Sequence, residues 1–217
     1  MRVRFDKAGR AKYFSHLDLN RCMQRALRRA GLPVWYTQGF NPHPYITFAL
    51  PLSLGCESEC ELMDIRLEDE ATAPMPELAA LLASQLPEGI TVTDVWEPVM
   101  KACDLGFARY RLEYTFEAMS AGLLRSRMQS LLAQPEIAVT KETKHAVRRM
   151  ELKKWLEQAL ISVKEDCLTI ELTLPAGSSE SIGPVCVDAA LAQTGLSPLF
   201  CRARRLELYN LEMKRFR

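Results

Sequence analysis

The sequence predicts an α+β fold of two consecutive halves with antiparallel sheets, and three observations support this. Residues 1–98 show strand-like and helix-like patterns in the order β-α-β-β-α-β, which is the split βαβ order of ferredoxin-like sheets. Residues 108–210 repeat that order around an insertion near 142–159. A chain of 217 residues, 48% of them hydrophobic, can bury a core without a metal or disulfide. We therefore expect two ferredoxin-like halves.

The first half begins with a strand over 2–6 and a capped helix over 15–30. Ser15 followed by Asp18 is a weaker form of the capping box. Gly31 and Pro33 end the helix. Apolar residues spaced three and four apart predict its buried stripe: Leu19, Cys22, Met23, Ala26, Leu27 and Ala30.

The rest of the first half alternates between β-prone segments and one leucine-rich helix. The predicted elements are strands at 34–37, 45–50, 60–67 and 90–96 and a helix at 76–86.

The second half follows a connector at 98–107 and opens with the cleanest strand-like alternation in the chain, over 108–117. Within the insertion, apolar residues have helical spacing. The other predicted elements are a helix at 123–132, a strand at 136–141, a hairpin of 160–164 with 168–174, a loop at 176–182, a helix at 184–194 and a strand at 202–209.

Charge is distributed unevenly along a chain whose net charge is only +1. Residues 1–50 carry nine basic and two acidic side chains, whereas residues 51–100 carry one basic and eleven acidic ones. A basic first quarter could bind an anionic partner such as nucleic acid. Alternatively, the two regions neutralise each other, with the acidic segment 57–70 covering the basic face.

Arginines concentrate on the polar side of the first helix. Arg21, Arg25, Arg28 and Arg29 fall on one side over about two turns. Guanidinium groups spaced along a rigid rod suit phosphate binding. The pattern therefore predicts an anion-binding surface, with an ordinary solvated helix face as the alternative.

Aromatic residues and a proline-rich loop follow this helix. Trp35 and Phe40 are candidates for stacking on RNA bases, although core packing is the alternative for Trp35. Asn41 and His43 belong to the G-F-N-P-H-P loop at 39–44 and complete the predicted RNA-binding set.

Two histidines allow a catalytic alternative. His16 lies in the first helical turn and His43 between two prolines. A histidine pair beside a basic groove could act as acid and base in metal-independent RNA cleavage. The alternatives are a capping or buried hydrogen-bonding role for His16 and a loop-shaping role for His43.

Other classes of chemistry lack their signatures. Seven cysteines without framework spacing suggest reduced thiols in the cytosol. Cys56 and Cys60 alone do not make a zinc site, so we expect no metal and no cofactor. No apolar run approaches the ~18 residues that span a bilayer. We expect a cytoplasmic protein with no membrane partner.

Three segments carry a family resemblance: F-S-H-L-D-L at 14–19, R-A-L-R-R-A-G-L-P at 25–33 and G-F-N-P-H-P at 39–44. In this order the chain resembles the bacterial radical SAM-linked proteins, most strongly over residues 1–67. The resemblance implies a partner role beside a cobalamin-binding radical SAM protein. It transfers no catalytic residue and does not include Cys56 or Cys60.

These observations lead to one expectation and two alternatives. We expect a non-catalytic accessory module that binds an anionic partner, RNA above all, and works with a separate radical SAM protein. The first alternative is a ribonuclease or RNA-modifying enzyme that uses His16 and His43. The second is a pure protein-interaction module with an exposed apolar patch and segment 57–70 as its docking surface.

Overall fold

A computed structural model describes residues 1–68, 73–142, 147–177 and 180–217, which form a mixed α+β structure with mostly antiparallel strand pairing. The chain divides into two compact units. The first contains residues 1–105 with 215–217, and the second contains residues 106–214.

The first unit places two helices beside a four-stranded arrangement. Its elements are β1 (Arg2–Lys7), α1 (His16–Arg29), β2 (Ile46–Phe48), β3 (Glu57–Ile65), α2 (Met75–Ala83) and β4 (Ile90–Trp96). The strand order is β4-β1-β3, with β2 paired to the other edge of β3. Helices α1 and α2 each connect strands that are not neighbours in the sheet.

Helix α1 begins and ends where the sequence predicts. The Ser15 hydroxyl accepts a hydrogen bond from the Asp18 backbone N–H at 3.1 Å, and the Asp18 carboxylate accepts one from the Ser15 N–H at 3.3 Å. This reciprocal pair satisfies two backbone donors that the first turn leaves open. Gly31 ends the helix with a φ of +64°, a left-handed conformation that glycine adopts without strain.

The core of the first unit lies between α1, α2 and one face of the strands. Phe5, Met23, Leu27, Met63 and Leu82 are completely buried there. Within the predicted α1 stripe, Leu19, Met23, Ala26 and Leu27 are buried, whereas Cys22 and Ala30 are half-buried. These two residues lie at the border of the stripe, where the helix surface remains partly accessible to solvent.

The last residues of the chain are part of the first unit, where they contact Arg2. Its buried guanidinium pairs with Asp64 at 2.6 Å and donates to the Met100 carbonyl at 3.1 Å. The guanidinium carbon also lies 4.8 Å from the centroid of the buried Phe216 ring. A buried cation needs such partners because desolvation of a charge is costly.

The second unit has the same succession of elements with an inserted hairpin and a short helix. Its elements are β5 (Leu105–Thr115), α3 (Ala121–Leu132), β6 (Ala138–Glu142), β7 (Val147–Glu151), α4 (Lys153–Glu157), β8 (Leu160–Lys164), β9 (Cys167–Pro175), α5 (Pro184–Ala192) and β10 (Phe200–Asn210). Its strand order is β10-β5-β9-β8, and β6 pairs with β7 in a separate two-stranded sheet. The clean alternation of β5 is confirmed, with every second residue from Ala108 to Tyr114 buried.

Several segments differ from the predicted secondary structure, among them the helix predicted over 76–86, which ends at Ala83. The segment 34–37 makes isolated bridges at Val34 and Tyr36 rather than a strand, because its neighbours contain prolines without a backbone donor. In the region 142–159, a hairpin strand precedes the short helix α4. The helix predicted over 184–194 ends at Ala192. Parts of three predicted segments lie outside the described residues: 69–70, 143–146 and 178–179.

Candidate functional site

The arginines of α1 are presented to solvent on the side of the helix that faces away from the core. Arg21, Arg25, Arg28 and Arg29 are all exposed. Arg21 lies 4.0 Å from Asp18, and both side chains are more than half exposed, so this pair contributes little stability. Arg25 has no hydrogen-bond or ion-pair partner among the described residues. Arg21 and Arg25 are therefore available to an external anion.

Arg29 is held by the segment that follows α2. Its guanidinium donates to the Gln85 backbone carbonyl at 2.7 Å and to the Gln85 side-chain oxygen at 3.4 Å. Gln85 lies just beyond the C-terminal end of α2, where the helix dipole favours a positive charge. This contact fixes one arginine and leaves its remaining N–H groups free to bind a ligand.

The space between α1 and the end of α2 is a cleft of about 560 Å³, which we name the first groove. Three of the four arginines line it together with one acidic residue and a short apolar wall. The lining residues are Phe14, Asp18, Arg21, Cys22, Arg25, Arg29, Ser84, Gln85, Leu86 and Pro87. The charge balance of this lining, three arginines against one aspartate, favours an anion.

The Cys22 thiol in the first groove is not a nucleophile. Burial raises its pKa, and the nearby Arg29 and Arg25 only partly oppose that effect. The thiol, rather than the thiolate, therefore prevails at neutral pH, and the thiol is the unreactive form.

A second cleft, of about 550 Å³, lies on the other flank of α1, and we name it the second groove. Arg21 lines both grooves. The other lining residues come from α1 and from the loop at 39–44: Leu17, Asn20, Gln24, Arg28, Phe40, Asn41, Pro42 and His43. Arg28 makes a long hydrogen bond of 3.4 Å to the Pro42 carbonyl and lies 5.9 Å from the Tyr36 ring centroid.

The loop at 39–44 is closed at its base by Thr37 and His43. The Thr37 N–H donates to the His43 carbonyl at 2.9 Å, and the His43 N–H donates to the Thr37 hydroxyl at 3.2 Å. The His43 ring Nδ1 lies 3.0 Å from the Asn41 carbonyl oxygen. Phe40 is fully exposed on this closed loop. His43 therefore has the loop-shaping role that the sequence left as an alternative, and its ring also borders the second groove.

Trp35 and Tyr36 point to different neighbours, as successive residues of an extended segment do. Trp35 is half-buried, with Arg66 4.2 Å from its ring centroid and Tyr45 packed edge-on at 5.7 Å. It lines neither groove. Tyr36 is the aromatic residue beside Arg28.

The two histidines of the catalytic alternative do not share a groove among the described residues. The His16 ring packs edge-on against Phe48, with centroids 5.3 Å apart, and lines neither cleft, whereas His43 lines the second groove.

The acidic quarter does not pair with the α1 arginines within residues 57–68. Glu57 and Glu61 are buried on β3, and Asp64 is paired with Arg2. The remainder of the predicted acidic segment, 69–70, lies outside the described residues. The basic face is thus unpaired with every described acidic residue of that quarter.

The cysteines of the chain are spread over both units rather than gathered at one place. All seven cysteines are free, and Cys56 and Cys60 are both buried. No cluster of three metal-ligating side chains occurs within the described ranges.

Sequence reasoning missed two polar side chains of the second groove, Asn20 and Gln24, which lie on the same helix as the predicted Arg28. Asn20, Gln24 and Arg28 are spaced by four residues along α1, which places them on one helix flank. That spacing is visible in the sequence. The contribution of Gln85 is not, because it depends on how α2 ends beside α1.

The fold and site define an α+β protein whose first helix carries a basic face between two grooves. The chain belongs to a family described as an uncharacterized protein conserved in bacteria (DUF2344), whose model matches residues 1–184. None of the curated proteins matches this sequence.

Among solved structures, a chain in the crystal structure of a Cbf5-Nop10-Gar1 complex is similar, with a TM-score of 0.50 and 11% identity. The match covers 95% of this chain and 48% of that one, so this protein spans about half the length of its structural neighbour. At this identity the likeness shows the fold alone. None of the described helices is both long enough and apolar enough to cross a membrane.

Proposed function

We propose that this protein is a non-catalytic cytoplasmic module that binds RNA through α1 and works with a separate cobalamin-binding radical SAM protein. The proposal of RNA binding depends mainly on Arg21 and Arg25. Both side chains are exposed, form no ion pair with the described part of the acidic quarter and line the first groove. The radical SAM part rests on the resemblance over residues 1–67.

A chain of linked phosphate groups suits this surface better than a single small anion does. Arg21 and Arg25 are four residues apart, about 6 Å along the helix axis, so a chain of phosphates can contact both. Arg29, already oriented by Gln85, adds a third guanidinium at lower entropic cost. Release of counterions by such contacts makes the affinity for RNA depend strongly on salt.

The accessory role is favoured over the ribonuclease alternative by the positions of His16 and His43. A general acid and base must lie within hydrogen-bond reach of the same reacting group, directly or through one water. His16 packs on Phe48 and lines neither groove, whereas His43 lines the second, and this supports the accessory role.

We also propose that both units are ferredoxin-like halves. Support comes from the order β4-β1-β3-β2 in the first unit and β10-β5-β9-β8 in the second. In each, two helices connect non-adjacent strands, as in the split βαβ arrangement.

The test is binding of the purified protein to labelled total cellular RNA across a salt series. We expect saturable binding that weakens steeply as salt rises. Arg25→Gln should weaken binding and reduce the slope of log affinity against log salt by about 0.7 for the lost phosphate contact. Arg127→Gln is the matched control, because Arg127 is also exposed on a helix, α3, without a partner among the described residues.

Wild-type protein that fails to bind RNA at low salt contradicts the proposal and favours the pure protein-interaction module. Equal losses for Arg25→Gln and Arg127→Gln would show diffuse charge attraction rather than a site on α1. The partner is tested separately, by co-elution of the purified protein with the cobalamin-binding radical SAM protein in gel filtration.

A further inference from the structure

The two grooves differ in chemistry although they share Arg21. The first groove contains three arginines, whereas the second presents the side-chain amides of Asn20, Gln24 and Asn41. An amide offers a hydrogen-bond donor and an acceptor without charge, which suits the edges of nucleobases rather than phosphates. We infer that the second groove reads unpaired bases, so that the ligand is single-stranded RNA. This inference rests on the proposed function.

Phe40 supplies the second element of base recognition. Its ring is fully exposed, so it makes no contribution to the core that would account for an aromatic residue there. The Thr37–His43 closure holds the loop in place, and the ring is therefore presented before a ligand arrives. Exposed aromatic rings beside a basic groove stack with the faces of bases.

Only unpaired bases can stack on Phe40 and form hydrogen bonds with the groove amides at the same time. In a duplex, each base face is stacked on its neighbours and each Watson–Crick edge is occupied by its partner. Phe40 and the amides would then find neither a free base face nor a free Watson–Crick edge. Single-stranded RNA offers both, while its phosphates remain available to Arg21 and Arg25 along the same helix.

The experiment compares a fluorescein-labelled single strand of about 12 nucleotides, within the range bound by single-strand-binding modules, with the same strand annealed to its complement. We expect the single strand to bind more tightly. Phe40→Leu should lower affinity for the single strand by at least about fivefold and leave the salt slope unchanged, because no phosphate contact is lost. Phe200→Leu is the matched control on an exposed ring of the second unit.

Equal or tighter binding of the duplex overturns this inference and leaves the proposed function standing. An affinity of the Phe40→Leu variant within about twofold of wild type also overturns this inference, because the loss of one stacked base should reduce the affinity much more. Absence of binding to either probe overturns the proposed function itself. The double variant Asn20→Ala/Gln24→Ala should flatten the ranking of homopolymers of uridine, adenosine and cytidine. An unchanged ranking overturns base reading by these amides.

Discussion

Helices α1 and α3 each follow the first strand of their unit, and they share an inner face but not an outer one. Both pack a leucine–methionine stripe into their own core: Leu19, Met23 and Leu27 in α1, and Leu124, Met128 and Leu131 in α3. On the outer face α1 carries four arginines between two grooves, whereas α3 carries Arg125 and Arg127. The two helices therefore share the kind of apolar stripe that packs each unit, whereas their outward residues differ.

The largest expected effect tests whether the two inner stripes are equivalent. Leu27→Ala and Leu131→Ala each remove a completely buried side chain. We expect each to lower the free energy of unfolding by about 2–5 kcal/mol, through lost burial and a residual cavity. Urea titration followed by circular dichroism measures this. Leu123→Ala, at a 42% exposed position of α3, is the control. A loss there as large as at Leu131 would contradict the assignment of the stripe.

Helices α2 and α5, each of which precedes the last strand of its unit, differ in polarity on their inner sides. Asp188 of α5 accepts a hydrogen bond from the buried Tyr114 hydroxyl at 2.7 Å. Tyr114→Phe leaves this half-buried carboxyl without its partner, so we expect a loss of about 1–3 kcal/mol. Denaturant unfolding at pH 7 measures the loss, and an unchanged stability would mean that water replaces the hydroxyl.

The same pair gives the second unit a distinct pH dependence. Burial raises the pKa of Asp188, although the Tyr114 hydrogen bond opposes this. The folded state then binds more protons than the unfolded state, so stability falls as pH rises above the ordinary value of 3.8. We expect Asp188→Asn to flatten this fall in an unfolding series from about pH 3 to 7, a range that begins below the ordinary carboxyl pKa and extends well above it. An identical pH profile would show that Asp188 is not its source.

Much of α1 could be predicted from sequence because its signals are local. The cap, the stripe and the final glycine depend on residues within four positions of one another, and all three are confirmed. The grooves could not be predicted, because Gln85 and His43 reach α1 only through tertiary packing. The surroundings of Trp35 were equally out of reach, because its contact with Arg66, 4.2 Å from the ring centroid, joins residues far apart in sequence.

The N-terminal caps of α1 and α3 also differ, and we expect their removal to have an intermediate effect on the free energy of unfolding. Ser15 and Asp18 satisfy each other's backbone donors, whereas Ser120 only accepts from Leu123 at 3.3 Å. Alanine at either serine should cost about 0.5–2 kcal/mol, with Ser15 the costlier. Equal costs, measured by thermal unfolding, would show that the reciprocal bond adds nothing.

The Ser15 cap also predicts a pH response confined to acid. Hydrogen bonds from Ser15 lower the pKa of Asp18. A lowered carboxyl pKa stabilises the folded state above the ordinary value of 3.8, and this contribution is lost as pH falls through the folded pKa. The difference in melting temperature between wild type and Asp18→Asn should therefore disappear in strong acid. A difference that persists there would have to come from packing rather than charge.

The smallest expected change in stability distinguishes a binding role of the α1 arginines from a structural one. Arg25→Gln and Arg127→Gln each remove one exposed charge without a described partner, so both should change the free energy of unfolding by less than about 0.5 kcal/mol. If Arg25→Gln nevertheless loses RNA affinity while Arg127→Gln does not, the loss cannot come from unfolding. If Arg25→Gln is destabilised by more than about 1 kcal/mol, the arginine face belongs to the fold.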